Sequence, residues 1–324
     1  MHISDALISA PVGIVMWGTT IATASYAIKK IDLSENSDKL PLIGVMGAFT
    51  FAAQMINFAI PGTGASGHLT GGLFLATLLG PHLAFLTMMS LLLIQALFFG
   101  DGGLIAYGAN VFNMGVLTCY VMYPLIYLPL QKRFPKSSTL IAASIGAMLS
   151  AFAVVLELTA SRLIAIPILW FLALMLGIHF VIGLIEGGIT KAILAYLQKH
   201  MGTEAKRLTR AAEEAFKPSK LYKRILVLAV IIAGGLSYFT SANPDGLEWS
   251  LENALSDASS LDGISKLQSS LSIFNDYSTY FTSGWMGTAI AGIAGVMLTF
   301  GLLTLFKKGL QQIKIKQESL NGKS

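Results

Sequence analysis

The chain has 324 residues and a formal net charge of +5; hydrophobic residues make up 54%, charged residues 12%, and the mean hydropathy is +0.68. A water-facing shell takes roughly a quarter of the residues charged, so an ordinary soluble domain is excluded and a bilayer is required. The single cysteine, Cys119, excludes a disulfide framework and any CxxC metal or redox site, and the basic residues sit in short loops between apolar runs rather than in a patch fit for nucleic acid.

The chain opens on Met1-His2. No basic residue precedes the first apolar run, and Lys29-Lys30 follow it, so no cleavable signal peptide is expected. His2 is a large second residue, which protects Met1 from the usual trimming. A free amine at Met1, the backbone nitrogen of His2 and Nδ1 of its ring close two chelate rings on one ion and place three nitrogens in a plane. A further imidazole completes the square-planar arrangement that suits Ni(II) or Cu(II). The amide must lose its proton, so affinity falls as pH falls. A frayed terminus with an accidental histidine is the plain alternative.

Apolar runs of spanning length, about 20 residues, recur down the chain. The predicted spans are 8–28, 41–60, 69–80, 83–99, 104–129, 138–160, 168–197, 223–240 and 284–306. The third and fourth belong to one stretch split at Gly80-Pro81, where proline removes a donor, and the third is short for a full crossing. The fold class expected is an all-α polytopic transmembrane bundle of about nine spans. Cytoplasmic loops retain positive charge: three basic residues fall in the first loop, three around Lys132, Arg133 and Lys136, eight from Lys199 to Arg224 and five from Lys307 onward, out of 22. This puts the N-terminus outside and the C-terminus inside.

Between the second and third spans, Asn57 to Gly72 carries His68 among Gly62, Gly64, Gly67, Gly71 and Gly72. Irregular backbone of this kind survives in a membrane protein where it is buried in protein or lines a polar cavity; an exposed loop is the alternative. Further on, Phe98-Phe-Gly-Asp-Gly-Gly-Leu104 reads as a turn of Asp and Gly. Asn110 and Asn113 follow it, with Gln54 and Asn57 at the outer end of the second span and Gln95 in the fourth; such amides either orient ligands or join helices. His179 and Glu186 lie seven residues apart in one span, nearly on one face, where ionisable groups usually face the bundle interior. Spacing alone does not choose between His68 and His179 as the further imidazole. His82 reads as interfacial and His200 as solvated. Gly72, Ala76 and Gly80, and likewise Gly287, Ala291 and Gly295, form small-residue stripes for close helix packing.

Two units are expected. Residues 1–200 form a membrane domain with the first seven spans, and residues 201–220 are a cytoplasmic amphipathic linker, with 202–215 a short basic helix stopped by Pro218. Residues 221–324 form two spans around an outside segment, 241–283. That segment holds Asp245, Glu248, Glu252, Asp257, Asp262 and Asp276 against Lys266, and its serines at 256–272 read as a loose loop. A GxxxxGK[ST] phosphate loop, HExxH and GxSxG are all missing, so neither an ATPase nor another enzyme is expected.

Together these motifs resemble the substrate-binding membrane component of cobalt and nickel energy-coupling-factor transporters, the CbiM/NikM type. The resemblance rests on Met1-His-Ile-Ser-Asp5, Asn57 to Gly72, Phe98 to Gly103 with Gly108-Ala-Asn-Val-Phe-Asn-Met-Gly115, and Gly177 to Gly187; Pro244-Asp-Gly-Leu-Glu248 resembles the accessory PDGLE subunit, fused in the same chain. Departures fall at Ala6, where glycine is usual, and at His82, where an aromatic is usual. The resemblance implies an Ni2+ or Co2+ substrate held by the Met1 amine, the His2 amide and ring, and His68. Asp5, Ser66, Asn110, Asn113, His179 and Glu186 are the candidate supporting residues. It also implies a transmembrane coupling (T) protein and cytoplasmic ABC ATPases as partners. The alternatives are a stand-alone, ion-gradient-driven transporter or channel with Glu157 and Glu186 as proton-coupling acids, or a membrane metal sensor.

Overall fold

A computed structural model of the chain describes residues 2–31, 40–211, 220–255, 272–274, 277, 282 and 284–321. The molecule is a bundle of helices, and a helix covers each apolar run. They are α1 (Ala10–Lys30), α2 (Leu40–Gln54), α3 (Gly72–Leu79), α4 (Pro81–Ile94, continued as a π-helical turn Gln95–Phe99), α5 (Tyr107–Val111, continued as the π-helical Phe112–Tyr127), α6 (Leu128–Arg133), α7 (Ser138–Ser161), α8 (Ile168–Ala211), α9 (Lys220–Gly235), α10 (Gly246–Ala254) and α11 (Trp285–Asn321). Among the described residues six helices are long and apolar enough to cross a membrane: α1, α4, α5 with α6, α7, α8 and α11. The helices α2, α3 and α9 are shorter.

Local chemistry sets the boundaries. Pro11 opens α1, and Lys29 and Lys30 close it, where the helix dipole favours cations. Gly80, at φ 77°, ends α3 and is followed at once by Pro81 at the start of α4. A left-handed glycine followed by a proline is what breaks the single apolar stretch.

Residues 202–211 are not a separate helix. They continue α8 without a break, because the stretch is rich in Ala, Lys, Arg, Leu and Glu, which are good helix formers, and the lone Gly202 costs too little to stop it. The segment 256–271, read as a loose loop, lies outside the described residues, and α10 stands before it.

Glycines let α8 lie tight on α7. A Cβ on Gly183 would stand 2.5 Å from Ser144 Cα, and one on Gly187 would stand 2.6 Å from Leu140 Cα. Gly72 gives α3 the same approach to the π-helical segment, 2.9 Å from Met114 O. In the C-terminal stripe Gly295 admits the rings of Phe51 and Phe99, so α11 seats on α2 and α4 of the first unit. The main core runs through α2, α3, α4, α9 and α11, with Phe51, Phe85 and Phe99 fully buried. A second core gathers the N-terminal arm (Ile3, Leu7, Ile8) with α7, α8 and α10.

Candidate metal centre

The arm before α1 folds back into the protein. Asn110 clamps Ile3 from both sides: Ile3 N–H donates to Asn110 Oδ1 (2.8 Å), and Asn110 Nδ2 donates to the Ile3 carbonyl (3.0 Å), which also accepts from Gly103 N–H (2.9 Å). Asp5 accepts from the amides of Leu104 (3.1 Å) and Ala106 (3.0 Å). Ordering the backbone costs about 1–2 kcal/mol per residue, and burying three aliphatic side chains returns about 1.5–3 kcal/mol each. Burial alone falls short over residues 2–8, and the five hydrogen bonds, at about 1 kcal/mol each, close the gap. Gly103 is indispensable to this packing, because a Cβ there would stand 1.8 Å from Asp5 Oδ1 and 2.4 Å from Asp5 N.

This arm delivers His2, whose side chain is only 7% exposed. Opposite it stands His68, 8% exposed, on the loop after a small antiparallel hairpin that pairs Phe58 with Gly67 and Ala59 with Ser66. Gly62 and Gly64, with φ near +77°, make the hairpin turn. The two imidazoles are nearly parallel (12°), with centroids 5.2 Å apart. Ligand nitrogens lie about 2 Å from a metal, so two rings at this separation reach one ion. Burial, together with the neighbouring His2 ring, lowers the His68 pKa to about 3. The ring is therefore neutral at ordinary pH, with Nδ1 3.1 Å from the Leu69 carbonyl.

His2 spends its nitrogens unequally. Nδ1 lies 3.0 Å from Asp101 Oδ1, while Nε2 is buried without a hydrogen-bond partner. Burial pushes the Asp101 carboxyl up, but the His2 ring and the Tyr277 hydroxyl outweigh it and hold the group well below the usual carboxylate range. The chelate expected at the N-terminus needs Nδ1, so closing it displaces the carboxylate. Met1 lies outside the described residues. Among those residues no group of three His, Cys, Asp or Glu side chains gathers around one point.

The C-terminal unit covers the hairpin. Ser66 N–H donates to the Pro244 carbonyl (2.8 Å), its hydroxyl donates to the Asn243 carbonyl (2.8 Å), and Trp249 Nε1 donates to the Thr63 carbonyl (2.9 Å). Asp245 caps α10 by accepting from the amides of Leu247 (2.8 Å) and Glu248 (2.9 Å). Gly246 meets the His179 ring: a Cβ there would stand 3.0 Å from Cε1. A narrow cleft is lined by Gly67, His68, Thr70, His179, Ile182 and Gly246, among others.

The other candidates divide. Asp5, Ser66 and Asn110 hold the segments that carry the two imidazoles. His179 shares the cleft with His68, and its Nδ1 lies 2.7 Å from the Met175 carbonyl. Glu186, on the same helix, accepts from the Thr70 hydroxyl (2.6 Å) and Gly71 N–H (3.0 Å), two and three residues beyond His68, and so holds that segment from the other side. Asn113 does not orient an imidazole; it donates to Glu157 (2.7 Å), one turn further into the bundle than Asn110. Gln95 joins helices, donating to Gln54 Oε1 (2.9 Å). Sequence reasoning took Asp101 only as a turn residue and passed over Tyr277. A carboxylate held between glycines beside a polar helix end was the available signal for the first. Tyr277 had none.

Residues 2–203 match the family described as cobalt uptake substrate-specific transmembrane region, and residues 219–312 match the PDGLE domain. A putative fused nickel transport protein of Archaeoglobus fulgidus is 31% identical over 303 residues, covering 93% of this chain and 96% of that protein. A putative metal transport protein of Haloquadratum walsbyi is 37% identical over 61% of this chain and 89% of its own length. A solved structure of a truncated transition metal transporter, 32% identical, superposes with a TM-score of 0.55 and covers 62% of this chain and 99% of that one.

Proposed function

The chain belongs to the family of cobalt uptake substrate-specific transmembrane regions, with a PDGLE domain behind that region, and from that membership we propose that it is the substrate-capturing component of an ATP-driven nickel or cobalt importer. It is a multi-pass membrane protein of metal transport, not an enzyme. In this reading the chain makes about nine passages through the bilayer, with the eight-residue α3 too short to cross it fully, and the N-terminus lies outside and the C-terminus inside, as the distribution of Lys and Arg favours. Residues 1–200 capture the ion and residues 221–324 close the site from outside.

The observation that carries the reading is the pair of buried, nearly parallel imidazoles of His2 and His68, 5.2 Å apart at the end of a clamped arm. The ion is held by the Met1 amine, the His2 amide nitrogen and ring, and His68. Planar coordination by four nitrogens favours nickel over cobalt. The sequence contains no phosphate loop, so the energy comes from cytoplasmic ABC ATPases through a transmembrane coupling protein. Their cycle turns the site from outward-facing to inward-facing.

The test is metal content by mass spectrometry on protein with an untagged N-terminus, under competing nickel, cobalt, copper and zinc. One equivalent of nickel or cobalt is expected, and a single residue added before Met1 removes it. Full binding in the extended protein overturns the chelate. A second reading, uptake driven by a proton gradient, draws support from Glu157 Oε1, buried without a hydrogen-bond partner. Purified protein in liposomes separates the two: nickel uptake driven by a pH gradient, with no ATPase present, removes the importer reading.

A further inference from the structure

The C-terminal unit reaches the metal centre at a second point, away from the PDGLE turn. Tyr277 donates a hydrogen bond from its hydroxyl to Asp101 Oδ2 (2.6 Å), and Asp101 Oδ1 faces His2 Nδ1 at 3.0 Å. The hydroxyl is itself fixed from the other side, 3.4 Å from Gln95 Nε2, which also donates to Gln54. The phenol ring lies on Phe99 (centroids 5.0 Å, 28°), the Phe274 ring stacks on Phe99 as well (5.5 Å, 23°), and Phe274 N–H donates to the Phe98 carbonyl (2.8 Å). Tyr277 holds this position with a φ of 52°, a conformation that non-glycine residues adopt only when their surroundings impose it. Tyr277 and Asp101, 176 positions apart, thus join with His2 in one relay of contacts from tyrosine to carboxylate to imidazole.

Resting on the chelate reading above, we propose that Tyr277 pins Asp101 on the chelating nitrogen of His2, so that the C-terminal unit sets how fast the ion is taken up. The chelate uses Nδ1, because only that nitrogen closes a ring with the backbone amide of the same residue. In the geometry here Nδ1 is already engaged, and the lone pair that remains, on Nε2, is buried and unpartnered. Capture therefore exchanges one partner for another: the Nδ1–Asp101 contact breaks, the ring proton passes from Nδ1 to Nε2 so that the imidazole stays neutral, Nδ1 binds the ion, and the His2 amide proton that the metal displaces is released to water. A carboxylate fixed at its second oxygen yields more slowly than one free to rotate. Tyr277 is a positioning residue, acting on the ligand through Asp101.

The test is stopped-flow binding of nickel alone to the full chain with an untagged N-terminus. Tyr277→Phe keeps the ring on Phe99 and removes only the hydroxyl. It should bind nickel on the order of fivefold faster, the worth of one ordinary hydrogen bond, with its thermal midpoint unchanged. In an Asp101→Asn background the same substitution should add nothing, because the group it acts through is altered. An unchanged or slower rate in Tyr277→Phe overturns the inference, as does an undiminished effect in the Asp101→Asn background. Where Tyr277→Phe lowers the thermal midpoint, hydrogen exchange of the His2 Nδ1 proton in 15N-histidine-labelled protein decides: it rises if the pin is real and stays unchanged if it is not. A wild-type protein that takes up no nickel sinks the chelate reading instead.

Discussion

Histidines stand at two ends of the bundle, and their surroundings differ in kind. At the arm, His2 and His68 are buried and parallel, one with an unpartnered nitrogen and the other held neutral. At the Gly80-Pro81 break, His82 is partly exposed; its Nδ1 lies 3.0 Å from the Tyr120 hydroxyl, and Tyr26 stands edge-on to its ring. The first two rings are buried and face each other, with His2 Nδ1 on Asp101 and His68 Nδ1 on the Leu69 carbonyl, whereas the second site has one imidazole, half open to its surroundings, among tyrosines. Burial of two imidazoles face to face, not the mere presence of one, is what distinguishes the arm end.

The sharpest way to break this contrast is to exchange the ends. His2→Ala or His68→Ala should weaken nickel binding on the order of a thousandfold, about 4 kcal/mol, while His82→Ala stays near the wild type in a chelator-competition assay. Comparable losses at both ends would erase the distinction. A smaller effect is expected from the support of the arm. Gly103→Ala drives a methyl group into Asp5, unseats residues 2–5 and should cost about 10- to 100-fold in affinity, as loss of a ligand's support does, with the helical circular dichroism retained. Wild-type affinity in that variant would mean that the arm does not present the ligand.

The smallest effect is in acid. His68 titrates near its ordinary 6.5 when unfolded and at about 3 when folded, so below pH 6.5 the unfolded chain binds the proton and the folded chain does not. Stability from this group is whole above pH 6.5 and is lost as pH falls toward 3. By pH 5 the loss is at most about 2 kcal/mol. His68→Gln should therefore show a smaller drop in thermal midpoint between pH 7 and pH 5 than the wild type. An equal drop would place the acid sensitivity elsewhere.

Much of this was legible from one sequence because the signals are local. Apolar runs marked the long helices but not α10, Gly80-Pro81 marked the break between α3 and α4, and the chemistry of a histidine at position 2 singled out that residue before any fold was known. His68 stood out by its glycines, but its choice over His179 came from family resemblance and not from spacing. What stayed hidden is tertiary. Asp101 reads as a turn until the arm is folded against it, Asn113 reads like Asn110 until one meets Glu157 and the other Ile3, and nothing near Tyr277 announces a contact 176 residues away. The unbroken run of α8 past residue 201 also escaped, since charge was read as a boundary where helix propensity allowed none.

The hydroxyl of Ser66 bonds to carbonyls 177 and 178 residues further along. A ribosome that has delivered α1 to α8 has therefore made both imidazoles without the carbonyls that hold the His68 hairpin. Those contacts are completed only in the closing stage of synthesis, when the chain before α10 follows.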